Sequence, residues 1–181
     1  MPHKLFPSQQ PNEKIMLVVR AHWFILFVKI SAVVLLMLAP VLLRAILAQF
    51  QVDSFSDFTN TLINLGLQIY YLGLLIALFI VWVLYYLNIH VVSDQRIVDI
   101  DQNGLLLHEV SELNIETIED VTSQTKGLIG NILDYGTVYI QTAGATQRFE
   151  FDNVPHPGAI ASLILKLYEA HSNTNKEQPR P

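Results

Sequence analysis

Six histidines, His3, His22, His90, His108, His156 and His171, are the residues with the widest chemical range in this chain of 181. None stands at metal-ligand spacing from another histidine or from a suitable set of carboxylates. Paired acids occur at Asp99/Asp101 and at Glu119/Asp120. On an extended chain Asp99 and Asp101 share a face, which makes a solvated edge a simpler reading than a general acid–base pair. There is no cysteine, so thiolate ligands, disulfides and a cysteine nucleophile are excluded. No G-x-S-x-G, H-E-x-x-H or kinase pattern is present. The expectation is a protein without enzymatic activity, metal or cofactor.

The charges that stand out are those beside or inside apolar stretches: Arg20, Lys29 and Arg44. Lys29 is the sole charge in WFILFVKISAVVLLMLAPVLL, Trp23 to Leu43, and GLQIYYLGLLIALFIVWVLYYL, Gly66 to Leu87, has none. Roughly 20 apolar residues suffice for a helix to cross a bilayer, so both are expected to span. Mean hydropathy is +0.37, and the apolar excess lies before residue 88. Lys4, Lys14 and Arg20 flank the first stretch, whereas the connecting residues Ala45–Leu65 carry only Asp53 and Asp57. Cytoplasmic flanks are enriched in Lys and Arg, so both termini are expected on the cytoplasmic side of the membrane. Trp23 and the Trp82/Tyr85/Tyr86 group would mark the inner interface, Tyr70 and Tyr71 the outer one. Lys29 would snorkel toward the inner interface. Pro40 is expected to kink the first span. A long apolar run without a small-x-small cleavage site predicts that the first span is retained.

Segments outside the spans are read in the same way. Asn12 with Glu13 suits a helix start, and Ile15, Met16, Val18 and Val19 then suggest an amphipathic lead-in to the first span. Phe55, Phe58, Leu62 and Leu65 stand at helical spacing, consistent either with a surface helix or with an extension of the second span. From Asn88 onward, alternation of period two replaces continuous apolarity. NIHVVS, RIVDID, LLLHEVSEL, TIEDVTSQT, TVYIQTA and QRFEFDN read as six strands, with a QNG turn at Gly104. VPHPGAIASLILKLYEAH closes the pattern as a helix with a stripe at Ile160, Leu163, Ile164 and Leu167. The expected organisation is therefore 1–21 juxtamembrane segment, 22–48 first span, 49–65 external loop, 66–87 second span, 88–171 β domain and 172–181 disordered tail.

The charge balance limits the partners. Residues 88–181 hold six Lys/Arg against thirteen acids, a poor match to nucleic-acid phosphates.

LNIHVVSDQRIVDIDQNGLLLHEVSELNIETIEDV followed by KGLIGNILDYGTVYIQTAG resembles the bacterial PH-like domain family, in members with two N-terminal spans. The matching motifs are Ser93-Asp94-Gln95-Arg96, the run Ile115/Ile118/Val121, and the glycine-marked segment with Gly127, Gly130 and Gly136. The lead-in PNEKIMLVVRAHWFILF, Pro11 to Phe27, matches as well, so the resemblance covers most of the chain. It implies an α+β membrane protein: a transmembrane helical hairpin, then a PH-like antiparallel β-barrel or sandwich capped by a C-terminal helix. The glycines, with Asp94 and Arg96, are then architectural. In eukaryotic relatives by shape, inositol phosphates need a basic cluster in the first strand–strand loop. If VSDQR is that loop, one Asp and one Arg do not supply it. The implied function is a non-catalytic interaction module at the cytoplasmic face, an adaptor or assembly component. Its partners would be the lipid bilayer and another membrane or cytoplasmic protein or itself, with no nucleic acid. A lipid-headgroup sensor and a small transporter or channel subunit using Lys29, Arg44 and Pro40 are the alternatives.

Overall fold

The structure, a computed structural model, describes residues 9–10, 13–49, 56–103, 107–125, 127–142 and 149–177. Asn12, Phe55 and Gly104, each given a role above, lie outside them. The chain divides into two compact units. One comprises the chain up to His22 together with the chain from Tyr86 onward, and the other is Trp23–Tyr85.

The second unit is a pair of helices, α1 (Trp23–Gln49) and α2 (Asp57–Leu87). With 27 and 31 residues, both are long and apolar enough to cross a membrane. Ser56 starts α2: its Oγ accepts from the Thr59 amide at 3.3 Å, and Asp57 sits in the first turn, where the helix dipole favours an anion. Residues 57–65 thus extend the second apolar stretch rather than forming a separate surface helix. Two polar ties join the helices. Arg44 Nη2 donates to Asn64 Oδ1 at 2.9 Å, and the Tyr70 hydroxyl donates to the Leu36 carbonyl at 2.7 Å.

The first unit is built on two antiparallel sheets. The four-stranded sheet has the order β1 (Ile15–Val19), β2 (Ile89–Ser93), β3 (Arg96–Asn103), β4 (Leu107–Asn114). The three-stranded sheet has the order β5 (Ile118–Thr125), β6 (Tyr135–Thr142), β7 (Phe149–Pro155). A 3-10 turn, Ile115–Thr117, makes the corner between them. Asn114 caps it by accepting from the Glu116 amide at 3.1 Å. No ladder joins the two sheets among the described residues, so the arrangement is two sheets and not a closed barrel. Between β5 and β6 lies a short helix, α3 (Gly127–Leu133), and the chain closes with α4 (Pro157–Glu177).

Two differences from the sequence reading matter. Ile15–Val19 is an edge strand, not an amphipathic helical lead-in. It pairs with β2 from Ile15↔Ser93 to Val19↔His90. The connection between the first two strands is therefore the whole helical pair, and VSDQR is the second connection. The last helix also continues to Glu177, through part of the segment expected as a disordered tail.

Alternation explains the packing. Val92 and Ile97 join Ile115, Val138, Ile140 and Phe151 in the main core, while Val91 and Val98 belong to a second cluster. Helix α4 packs on β5, β6 and the 3-10 turn through Ile160, Ala161 and Ile164. Each fully buried Phe, Ile or Val contributes about 1.5–3 kcal/mol relative to exposure.

Candidate functional site: a locked turn, an acidic cleft and the foot of the helices

The turn between β2 and β3 carries the S-D-x-R residues, and each grips the segment before β1. Glu13 is buried, with its side chain fully excluded from solvent. Its Oε1 receives the Ser93 hydroxyl at 2.7 Å and Arg96 Nε at 3.2 Å, and its Oε2 receives the Gln10 amide at 3.0 Å. Ser93 Oγ in turn accepts from the Arg96 amide at 3.0 Å. Arg96 Nη1 reaches Glu112 Oε2 on β4 at 2.8 Å. Asp94 completes the grip: its Oδ1 accepts from the Lys14 amide, and its own amide donates to the Lys14 carbonyl, both at 2.9 Å. A buried carboxylate is tolerated only when it is paired with a cation and hydrogen-bonded. This one is, so its chemistry is spent inside the fold. The sequence reading placed Glu13 in the first turn of a helix and not as a buried acid; an acid just ahead of an apolar run was the only signal for that role.

The second feature is an acidic cleft of about 310 Å³. Asp99 and Asp101 on β3, Glu109 and Ser111 on β4, and Phe149, Glu150 and Asp152 on β7 line it. The register places Asp99 opposite Ser111 and Asp101 opposite Glu109. β4 and β7 are edge strands of their sheets. Asp99 also holds His90 Nδ1 at 2.7 Å, and the His90 ring stacks on Phe151 with centroids 4.3 Å apart. Asp99 and Asp101 were expected as a solvated face, and they line an open cleft. Glu119/Asp120 is exposed on β5, and Asp120 lines a separate opening that shares Glu150 with this cleft. No group of three or more potential ligands is placed to hold a metal among the described residues.

The third feature gathers, within the β unit, the residues that flank the helical pair in sequence. Arg20 Cζ lies 5.7 Å over the Tyr86 ring, a cation–π contact that draws together the residues just before α1 and at the end of α2. The His22 amide donates to the Asn153 carbonyl at 2.6 Å, and its ring stacks on Tyr135 at 5.3 Å. Burial, and after it the neighbouring His156, push the His22 imidazole below its ordinary value, with Asp134 pulling the other way. Asp134 pairs with His156 Nδ1, and the His156 amide donates to the Asp134 carbonyl at 2.8 Å. Asp134, Asn153 and His156 all take positive φ, near 50°. These residue types tolerate it best.

The glycines singled out in the sequence sit around α3. Gly127 begins it at φ +74°, a left-handed conformation that side chains resist. Gly136 permits a close approach of strands: a Cβ there would stand 2.2 Å from the Gln124 carbonyl oxygen. Gly130 is buried, with room for a Cβ only at 3.2 Å from the Tyr135 carbonyl. Lys29 is exposed on α1, and Arg44 is the residue bound to Asn64. Neither comes together with an acidic partner among the contacts the structure describes.

A family model for the bacterial PH domain matches residues 17–168. The chain belongs to that family. The match begins inside β1 and ends within α4, so it takes in strands on both sides of the helical pair. A search of curated proteins finds no match. PH-like domains are in general binding modules rather than catalysts, and they mediate contacts with lipids or proteins. An interaction module is therefore what this PH domain is built as.

Proposed function

We propose that the protein is a membrane-anchored PH-like adaptor or assembly component that catalyses no reaction. In this reading α1 and α2 span the bacterial inner membrane, both termini are cytoplasmic, and the PH domain offers its acidic cleft to a basic segment of a protein partner. The observation that carries it is the concentration of Asp99, Asp101, Glu109, Glu150 and Asp152 around one open cleft between two strand edges. Edge strands supply unpaired backbone groups to an added strand, and acidic walls select a basic one.

Connectivity supports the topology. β1 precedes the helical pair, β2 follows it, and the two are hydrogen-bonded neighbours. An even number of crossings is the arrangement that leaves both strands on one side of a bilayer. The lysine-poor, acid-bearing connection between the helices agrees with its placement outside. Acidic lining also disfavours a phosphate-bearing ligand in the cleft.

The test is a photo-crosslinking residue at Val110, exposed on β4, in the full-length protein in its native membrane. The expected result is a protein adduct that weakens with salt and is lost in Asp101→Lys with Glu109→Lys. Adducts indifferent to both changes would exclude the acidic cleft as the docking surface.

A further inference from the structure

Helix α3 is short, and its apolar side chains face away from the core. Leu128 is 83% exposed, Ile132 80% and Ile129 54%, while Gly130 is the helix residue that is buried. Three large aliphatic side chains on seven residues of a β domain are not core material. Asn131 is the lone polar side chain within the helix, which carries no charge. An exposed apolar cluster of this kind marks an interaction surface.

Position identifies what it meets. The residues just after α3 are Asp134 and Tyr135, and Tyr135 stacks on His22 at 5.3 Å. His22 immediately precedes Trp23, the first residue of α1. Ile132 is three residues from Tyr135, a reach of at most about 10 Å. His22 belongs to the same compact unit as α3, and the next residue along the chain begins the first apolar helix, so the chain itself ties this side of the β unit to the bilayer that α1 enters.

We infer that α3 is a membrane-dipping element: Leu128, Ile129 and Ile132 insert among the lipids of the bilayer that α1 and α2 cross. The inference rests on the spanning reading of those helices. The base of the element is made rigid by features already described. The close packing at Gly136, the Tyr135–His22 stack and the Asp134–His156 pair hold the strand that follows α3. The left-handed start at Gly127 turns the chain sharply into the helix. Bilayer contact through α3 would fix the tilt of the PH domain, and with it the direction in which the acidic cleft faces.

The absence of cysteine makes a direct test available. Single cysteines are introduced into the full chain at Ile132 on α3, at Leu75 on α2 and at Glu119 on β5, and each is labelled with an environment-sensitive fluorophore in proteoliposomes. Leu75 and Glu119 are exposed in the structure and serve as lipid and water references. The probes are phospholipids brominated on the acyl chain and aqueous iodide. The expected result is strong bromolipid quenching at Ile132→Cys and Leu75→Cys, and iodide quenching several-fold weaker at both than at Glu119→Cys. Bromolipid quenching at Leu75→Cys with iodide quenching at Ile132→Cys would overturn the inference and leave the spanning helices standing. Protection of Ile132→Cys from both quenchers would also overturn it, because protein would then cover α3. Iodide quenching at all three positions would remove the spanning reading together with the inference.

Discussion

The turn between β2 and β3 and the helix between β5 and β6 each carry side chains that contradict their surroundings. At the turn a carboxylate, Glu13, lies where water does not reach, and both of its oxygens meet donors. At α3 three aliphatic side chains lie where water does reach, with no core against them. A misplaced polarity that is fully answered inside the fold is architecture. One that is left unanswered asks for something outside it. The S-D-x-R residues are of the first kind, although arginine and aspartate in a strand turn look more functional on paper than Leu and Ile do.

That contrast can be broken most severely at the locked turn. Arg96→Ala leaves Glu13 buried without its cation, and the expected loss is about 3 kcal/mol of stability, read from unfolding of the detergent-solubilised protein. A loss below about 1 kcal/mol would show that the carboxylate finds water, and the turn would no longer count as closed. Gly136→Ala should follow closely, at about 2–3 kcal/mol, because its Cβ meets the Gln124 backbone rather than a flexible side chain. This change tests whether the base beneath α3 is as firm as the turn.

Ile132→Ser lies at the other extreme. An exposed side chain without packing partners should change stability by no more than about 0.5 kcal/mol in the same assay. A loss of about 2 kcal/mol would mean that α3 packs on protein, and the two regions would then be alike. The smallest effect concerns His22. Its folded-state value is depressed, so the unfolded state binds the proton more readily. Stability should therefore decline as pH falls through the ordinary histidine value of about 6.5, and level off below the depressed one. The decline should be shallower in His22→Gln, measured as the pH dependence of the midpoint. An unchanged pH profile would show that the stacked imidazole is solvated.

The strands from β2 to β7 and the helix α4 were legible because alternation and turn residues mark them. Both apolar helices were legible from length alone. β1 was not, for a physical reason: IMLVV is a continuous apolar run that lacks alternation, and such a run beside a spanning helix looks like its lead-in. Its partner β2 is distant in sequence, and no local pattern reports a distant ladder. Missing β1 also hid the role of Glu13 and shifted the numbering of the strand connections. The glycines around α3 were singled out, but nothing in LIGNIL says which of its apolar side chains face outward. Only the placement of Gly130 inward turns Leu128 and Ile132 outward. Of the cleft acids only the pair Asp99/Asp101 was singled out in the sequence. Their convergence on one opening depends on how β4 and β7 face each other, which period-two alternation does not encode.

β1 leaves the ribosome before either apolar helix, and β2 leaves after both. Until the chain from Arg20 to Asn88 is complete, Ile15–Val19 has no partner strand, and the Glu13 carboxylate has neither Ser93 nor Arg96 to meet it. The sheet is thus a late event, closed over an insertion whose ends it pins together. Under the proposed topology, pairing β1 with β2 and seating the helical pair act on the same two chain ends, so the sheet edge and the Glu13 contacts register whether those ends have come together.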